Sequence, residues 1–279
     1  MKRTMTALMA TGVLAASLII PSAAFGTTSQ ATAKIDVAPY FWIDEAGHDG
    51  RTGPFLVPVQ RRVPATVAVG TASLEELLDG PKASEAGADP AISTQIPDGT
   101  RLRGLTISDG KAKVHFNRKF AGNDDSAAAA LRVAQVVFTL TRYPTVDRVV
   151  FFQGDHRIRV QTSDGELKRV VTRDDYLDFV AAISVETPVY GGRTNDRVRV
   201  SGDAAVFEAT FNYALRDGDG DLIEKGIAMS DNGVGWGTFD FTIQYDVAER
   251  QRGTLKVWAF SAKDGSRIDV RKYPVVLAP

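Results

Sequence analysis

One segment, Asp124 to Phe152, limits what this chain can fold into more than any other: a long apolar-faced helix runs, with little loop between, into a buried strand. Asp124, Asp125 and Ser126 offer carboxylates and a hydroxyl suited to the free amides and positive dipole end of a helix, which places its start near Ser126. Arg132, Gln135, Thr139 and Arg142 then recur at helical spacing as a polar stripe, with Ala130, Leu131, Ala134, Val137 and Phe138 opposite. Tyr143-Pro144 stops the helix, because proline disfavours helical geometry in the residue before it, and Arg148 to Phe152 reads as a strand covered on both faces. The pattern predicts a helix lying on a sheet by its apolar face.

The flanking sequence supplies the rest of that layer. Ile35 to Ile43 and Phe55 to Val63 read as two strands of a hairpin, and Thr100 to Thr106 with Lys111 to Asn117 as a second hairpin closed by Ser108-Asp109-Gly110. Ser73-Leu74-Glu75-Glu76 has the form of a capping box and predicts a helix beginning there, with Leu74, Leu77 and Leu78 on one face and Gly80-Pro81 as its stop. Ala83 to Gln95 reads as loop. Arg157 to Val171 predicts a hairpin about Asp164-Gly165, followed by a short helix capped by Thr172.

Beyond that point the period changes to two. Phe207, Ala209, Phe211, Tyr213 and Leu215 alternate with polar or small residues, as do Phe239, Phe241, Ile243 and Tyr245. With Val198 to Val200, Leu222-Ile223, Leu255 to Phe260 and Arg267 to Leu277 added, short strands separated by Gly/Asp turns predict a β-sandwich.

At the other end, Lys2-Arg3, an uncharged run from Thr4 to Ile20 and Ser22-Ala23-Ala24 have the three regions of a secretory signal peptide. Cysteine is absent from all 279 residues, which excludes disulfides, thiolate metal sites, a cysteine nucleophile and a lipidated cysteine. A formal net charge of −1 is too balanced for a nucleic-acid binder. No stretch after the signal peptide is apolar enough to span a membrane. The expected organisation is a signal peptide over 1–26, a flexible leader over 27–34, an α+β domain over 35–155, a hairpin and short-helix connector over 156–182, and a β-sandwich over 183–279.

Several ordered pieces carry a family resemblance. Leu56 to Arg62, Leu77-Leu78-Asp79-Gly80-Pro81, Ile96-Pro97-Asp98-Gly99-Thr100, Val136 to Thr141 and Val146 to Val149 together resemble the GerMN domain of bacterial sporulation and germination proteins, over roughly Val37 to Asp155. Pro188, Val200 to Ala204, Val206 to Ala209, Trp236 to Phe239 and Asp264-Gly265-Ser266 resemble the Gmad2 domain over roughly Ile183 to Leu277. The resemblance implies a mixed sheet with two packed helices, followed by an all-β immunoglobulin-like sandwich. It carries no catalytic residues over to this chain.

The residues that could carry chemistry each have a plainer reading. Asp217, Asp219 and Asp221 begin like a calcium loop, but Leu222 stands where the loop glycine belongs and Ala228 where the bidentate glutamate belongs, so a hairpin loop is the preferred reading. Gly233 to Gly237 precedes a strand, not a helix, and so presents no phosphate site. Trp236 is either a sugar-stacking platform or part of the sandwich core. Arg61 and Arg62 head a set with Arg101, Arg103, Arg118 and Lys119 that either meets anionic wall polymers or forms solvated strand faces. His48, His115 and His156 show no ligand spacing, Asp124-Asp125 and Asp174-Asp175 sit where helix starts attract acids, and no serine lies in a Gly-x-Ser-x-Gly elbow. The expectation is a secreted, extracytoplasmic, non-enzymatic protein without cofactors, wall-associated or released, that binds peptidoglycan or another envelope component in sporulation or germination. A structural or signalling scaffold, assembling with itself or with a membrane-protein ectodomain, is the alternative.

Overall fold

The first strands form the expected hairpin, but it is interrupted. β1 (Lys34–Val37) and β2 (Tyr40–Ile43) run out, β3 (Phe55–Pro58) and β4 (Arg61–Pro64) run back, and β1 pairs with β4 while β2 pairs with β3. Pro39, which has no amide to donate, separates the two short ladders. This computed structural model describes residues 33–44, 53–121 and 126–279. The signal peptide, most of the leader, His48 and Asp124-Asp125 lie outside the described residues.

The helix α1 (Val69–Leu78) starts before the capping box that predicted it. Ser73 is instead fully buried inside the helix, sharing a hydrogen bond with the Tyr143 hydroxyl, so the box does not mark the N-terminus. Packing decides the start: a Cβ on Gly70 would meet Leu105 Cδ2 at 3.2 Å and Ile107 Cδ1 at 3.3 Å, so the first turn is already pressed on the neighbouring strand. The stop is as expected, with Gly80 at φ +79°. The segment expected to be loop holds a short helix α2 (Ala83–Ala86) and β5 (Ile92–Ser93), which extends the β2–β3 sheet by pairing with β2.

β6 (Leu102–Ser108) and β7 (Lys111–Phe116) form the second hairpin, with Asp109 and Gly110 both at positive φ as a two-residue turn demands. From β7 the chain crosses through α3 (Ser126–Thr141) to β8 (Arg148–Gln153), which lies parallel to β7. β9 (His156–Arg157) completes a mixed sheet in the order β6-β7-β8-β9. Ala112, Val114, Val149 and Phe151 are buried on its inner side together with Ala134, Val137 and Phe138 of α3. This is the helix on a sheet that the sequence predicts.

The polar stripe of α3, however, is not on the outside. Arg132, Gln135 and Thr139 are 2%, 0% and 1% exposed. Thr139 Oγ1 accepts from the Tyr40 amide at 3.0 Å, while Gln135 donates to the Tyr40 carbonyl at 3.0 Å and accepts from the Gln95 amide at 2.8 Å. Arg132 donates to the carbonyls of Gln95 at 3.1 Å and Phe120 at 2.5 Å. Thr139 and Gln135 take over where the two-residue β5 stops short of Tyr40, and Arg132 serves carbonyls of the neighbouring loops, so backbone groups that would otherwise be buried without partners are satisfied. The helix is therefore covered on both sides.

β10 (Val160–Gln161) and β11 (Leu167–Lys168) make the small hairpin about Asp164-Gly165, and a 3-10 turn over Arg173–Phe179 follows, with the Thr172 amide donating to Asp175. The remainder is the sandwich: β12 (Ile183–Thr187), β13 (Gly192–Asn195), β14 (Arg197–Ala204), β15 (Thr210–Arg216), β16 (Leu222–Met229), β17 (Gly237–Gln244), β18 (Gln251–Phe260) and β19 (Arg267–Ala278). β12, β14 and β17 form one layer; β13, β19, β18, β15 and β16 form the other. Phe211 and Phe239 meet between them at 4.8 Å, and the Tyr273 hydroxyl binds the backbone of Ile183 and Val185 across the layers.

The alternation from Phe207 is misleading at its start. Phe207–Ala209 is a 3-10 turn with Glu208 and Ala209 at positive φ, and Phe207 is 70% exposed. There the chain passes from one layer to the other, so the strand begins only at Thr210. The two parts of the chain share one continuous core. The Tyr190 amide donates to the Pro58 carbonyl at 2.8 Å, and Arg271 lies 4.3 Å over the Phe55 ring.

Candidate functional site

The residues singled out from the sequence do not converge. Arg61 is buried, bidentate to Glu85 at 2.8 and 2.7 Å and stacked 5.1 Å over Phe41, so it is a structural clamp between β4 and α2 and not a ligand contact. Its neighbour Arg62 is exposed, opposite Asp36 in the ladder. Trp236 is half-buried against the sandwich core, and its carbonyl accepts from Asn232. Asp217 spends one carboxylate oxygen on the amides of Asp219 and Asp221 at 3.1 and 2.8 Å, closing the loop between β15 and β16. Among the described residues no group of three or more histidines and acids is placed to hold a metal ion. Arg101, Arg118 and Lys119 are exposed near one another, because the Asn117 amide binds the Arg101 carbonyl at 3.1 Å.

A partly buried polar cluster that the sequence does not announce sits where the 3-10 turn meets the sandwich. Arg173 pairs with Glu186 of β12 and, at 3.4 Å, with Asp203 of β14, while its guanidinium lies 4.6 Å over Phe138 of α3. The Tyr40 hydroxyl donates to Glu186 at 2.9 Å, and Arg142 donates to the Glu186 carbonyl at 3.1 Å. Burial, with Glu186 alongside, pushes the Tyr40 phenol well above its ordinary range. Burial and the same glutamate push the Asp203 carboxyl up, against the opposing pull of Arg173. Each of the two acids, Glu186 and Asp203, is held by a cation or a hydroxyl from another element, which ties the 3-10 turn to the sandwich.

Two faces carry an excess of positive charge instead, although on the first Arg148 is paired with Asp147 at 4.0 Å. On the outer side of the β6-β7-β8-β9 sheet, the register aligns Lys111 with Arg148, Lys113 with Val150, and His115 with Phe152, which in turn opposes Arg157. His115 stacks on Phe152 with ring centroids 4.4 Å apart, and no acid occupies an outward position of those paired residues. The alternation Lys111-Ala112-Lys113-Val114-His115-Phe116 was the available signal, since period two puts both lysines and the histidine on one side. The other face is a groove on the five-stranded layer of the sandwich, lined by Arg216, Lys225, Lys256 and Arg267 around Trp258. Burial pushes the Lys256 ammonium down, and the neighbouring Arg267, Lys272 and Arg216 push it further.

A family model described as sporulation and spore germination matches residues 39–158, and one described as the immunoglobulin-like domain of bacterial spore germination matches residues 182–266. Residues 39–158 thus carry a GerMN-type domain and residues 182–266 a Gmad2 domain. No curated protein matches it. Among solved structures, the tandem GerMN domains of the sporulation protein GerM from Bacillus subtilis align at 14% identity and a TM-score of 0.42, over 88% of this chain and 61% of that one. This chain thus spans less than two thirds of that structure. The first GerMN domain of the same protein aligns at 20% identity and a TM-score of 0.38, over 50% of this chain and 98% of that one. A candidate lipoprotein of Clostridium perfringens aligns at 17% identity and a TM-score of 0.33, over 53% and 93%. The basic sheet face lies within the GerMN match and the basic groove lies largely within the Gmad2 match, while Arg173, at the joint, falls between the two. Among the described residues no helix is long and apolar enough to cross a membrane.

Proposed function

We propose that this protein is a secreted, non-catalytic component of the cell envelope in sporulation or spore germination, and that it binds an anionic wall polymer, peptidoglycan first among them, through the outer face of its GerMN sheet. The observation that carries the reading is the set Lys111, Lys113 and Arg157 on adjacent strands with no acid at the outward positions between them, beside Arg148, which shares its charge with Asp147. Such a face attracts polyanions at a range set by salt. The non-catalytic part is supported by how the buried polar groups are used: Arg132, Gln135 and Thr139 complete backbone hydrogen bonding, and Arg173, Glu186 and Asp203 pair with one another.

Co-sedimentation of the mature chain with purified peptidoglycan tests it. Wild type should pellet at low salt and be released at high salt, and Lys111→Glu with Lys113→Glu should abolish the pelleting at low salt. Absence of pelleting at low salt would overturn the polymer reading. The scaffold alternative is favoured by one feature, the position of β6 at the edge of its sheet with a single hydrogen-bonded neighbour, where a strand of another chain can add. Cross-linking from a cysteine placed on β6 would then capture a specific protein.

A further inference from the structure

The groove on the sandwich differs from the GerMN face in a way that selects its partner. It has a volume of about 480 Å³, and none of its lining residues is acidic. Trp258, 9% exposed, forms its apolar base, with Arg267 at 4.9 Å and Lys256 at 5.6 Å over the indole. The ring holds both cations by its π face and leaves their outer sides open to a ligand. On the opposite layer the exposed Arg199 is neutralised by Asp240, so uncompensated charge is not a general property of this sandwich.

Beside these cations stand large apolar side chains with nothing over them. Ile227 is 69% exposed and Met229 65%, and the cross-strand register places them on the same side of β16 as Lys225. Phe260 is 49% exposed at the end of β18, opposite Arg267. A hydrated acidic polymer would satisfy the cations and leave these side chains in water. A surface that offers anionic headgroups above an apolar layer satisfies both.

We propose that the outer face of the five-stranded layer of the Gmad2 domain docks peripherally on an anionic lipid surface, with Lys225, Lys256 and Arg267 on the headgroups and Ile227, Met229 and Phe260 entering the headgroup boundary. This goes beyond binding of a wall polymer by the GerMN sheet and places the two domains on different envelope components.

The test is co-sedimentation of the mature chain with phosphatidylcholine vesicles, with and without phosphatidylglycerol. Wild type should pellet only with the vesicles that contain phosphatidylglycerol. Lys225→Glu with Arg267→Glu, both exposed side chains, should lower partitioning by at least about thirtyfold, from about 1 kcal/mol lost for each cation removed, before the repulsion of the new carboxylates is added. Ile227→Ser with Met229→Ser should weaken it several-fold while leaving its salt dependence. No pelleting of wild type with phosphatidylglycerol vesicles overturns the proposal, as does unchanged pelleting of the charge-reversed variant. Binding of that face to a soluble wall polymer without vesicle binding also overturns it and reassigns the groove. Lys111→Glu with Lys113→Glu should leave vesicle binding intact, so failure of this proposal and failure of the wall-polymer reading are separable.

Discussion

In the GerMN domain the central helix sends Arg132, Gln135 and Thr139 into the interior, whereas the facing strands of the Gmad2 domain bury mainly Val198, Val200, Phe211, Ile243, Leu255 and Val257, which carry no side-chain hydrogen-bonding atom, with Tyr273 and Arg271 as polar exceptions. The difference follows from how each domain treats its strand edges. The sandwich is made of long strands that satisfy one another, such as the eight paired residues of β14 and β17. The GerMN domain is made of short sheets, and because β5 pairs only Trp42 and Ile43, the Tyr40 end of β2 is left as an edge inside the molecule, where α3 reaches it. A buried edge must be finished by side chains, because an unpaired buried amide or carbonyl costs about as much as a lost hydrogen bond. The joint between the domains combines both problems, and it solves them with charge.

That contrast can be broken most sharply at the joint. Arg173→Met should destabilise the protein by roughly 3–5 kcal/mol in urea unfolding, because Glu186 and Asp203 lose their shared cation while partly buried. Arg199→Met, which removes an exposed pair from the sandwich surface, should leave the unfolding midpoint nearly unchanged. Next in size, Gln135→Leu should cost about 2–4 kcal/mol despite adding an apolar side chain to a core, since it strands the Tyr40 carbonyl and the Gln95 amide. A chain that tolerates it as well as Ile243→Val, expected at about 0.5–1.5 kcal/mol, would show that the two interiors do not differ as argued.

A smaller effect probes the sandwich by overpacking. Gly202→Ala would place a Cβ 2.0 Å from the Ser184 carbonyl oxygen, forcing β12 from β14 at about 1–3 kcal/mol. The smallest effect is a difference in sign with pH. Asp203 has a raised folded pKa, so its contribution is fully present below the ordinary value of 3.8 and is lost as pH rises through the folded value. Asp231, held down by the Thr238 hydroxyl and amide, contributes above 3.8 and loses that contribution as pH falls through its folded value. On acidification from pH 5 to about 3, melting of Asp203→Asn should fall more steeply than wild type, and melting of Asp231→Asn less steeply.

Much of the architecture was legible because local chemistry and burial agree there. Asp109-Gly110, Gly80, Tyr143-Pro144 and the alternation through Phe239 to Tyr245 each hold their meaning wherever the segment is placed. The capping box at Ser73 and the alternation from Phe207 misled because packing on β6 and the crossing between layers outweigh a local preference. The candidate site was less legible. Arg61 reads as a surface cation until α2 brings Glu85 to it, and α2 lies in a stretch that carries no strong helix signal. The groove cations, spread from Arg216 to Arg267, share no motif.

The sequence by itself determined the period of each segment, its turns and stops, and hence a helix-on-sheet unit followed by a sandwich. Only the tertiary structure decided which polar residues are inside. Helical spacing groups Arg132, Gln135 and Thr139 on one side of α3, and period two groups Lys111 and Lys113 on one side of β7, but neither period says what lies beyond that side. For α3 it is the Tyr40 end of β2, which β5 is too short to pair, so the polar stripe is buried and hydrogen-bonded. For β7 it is the outer face of the sheet, where Lys113 is exposed and Lys111 half-buried, so their charges stay within reach of a partner.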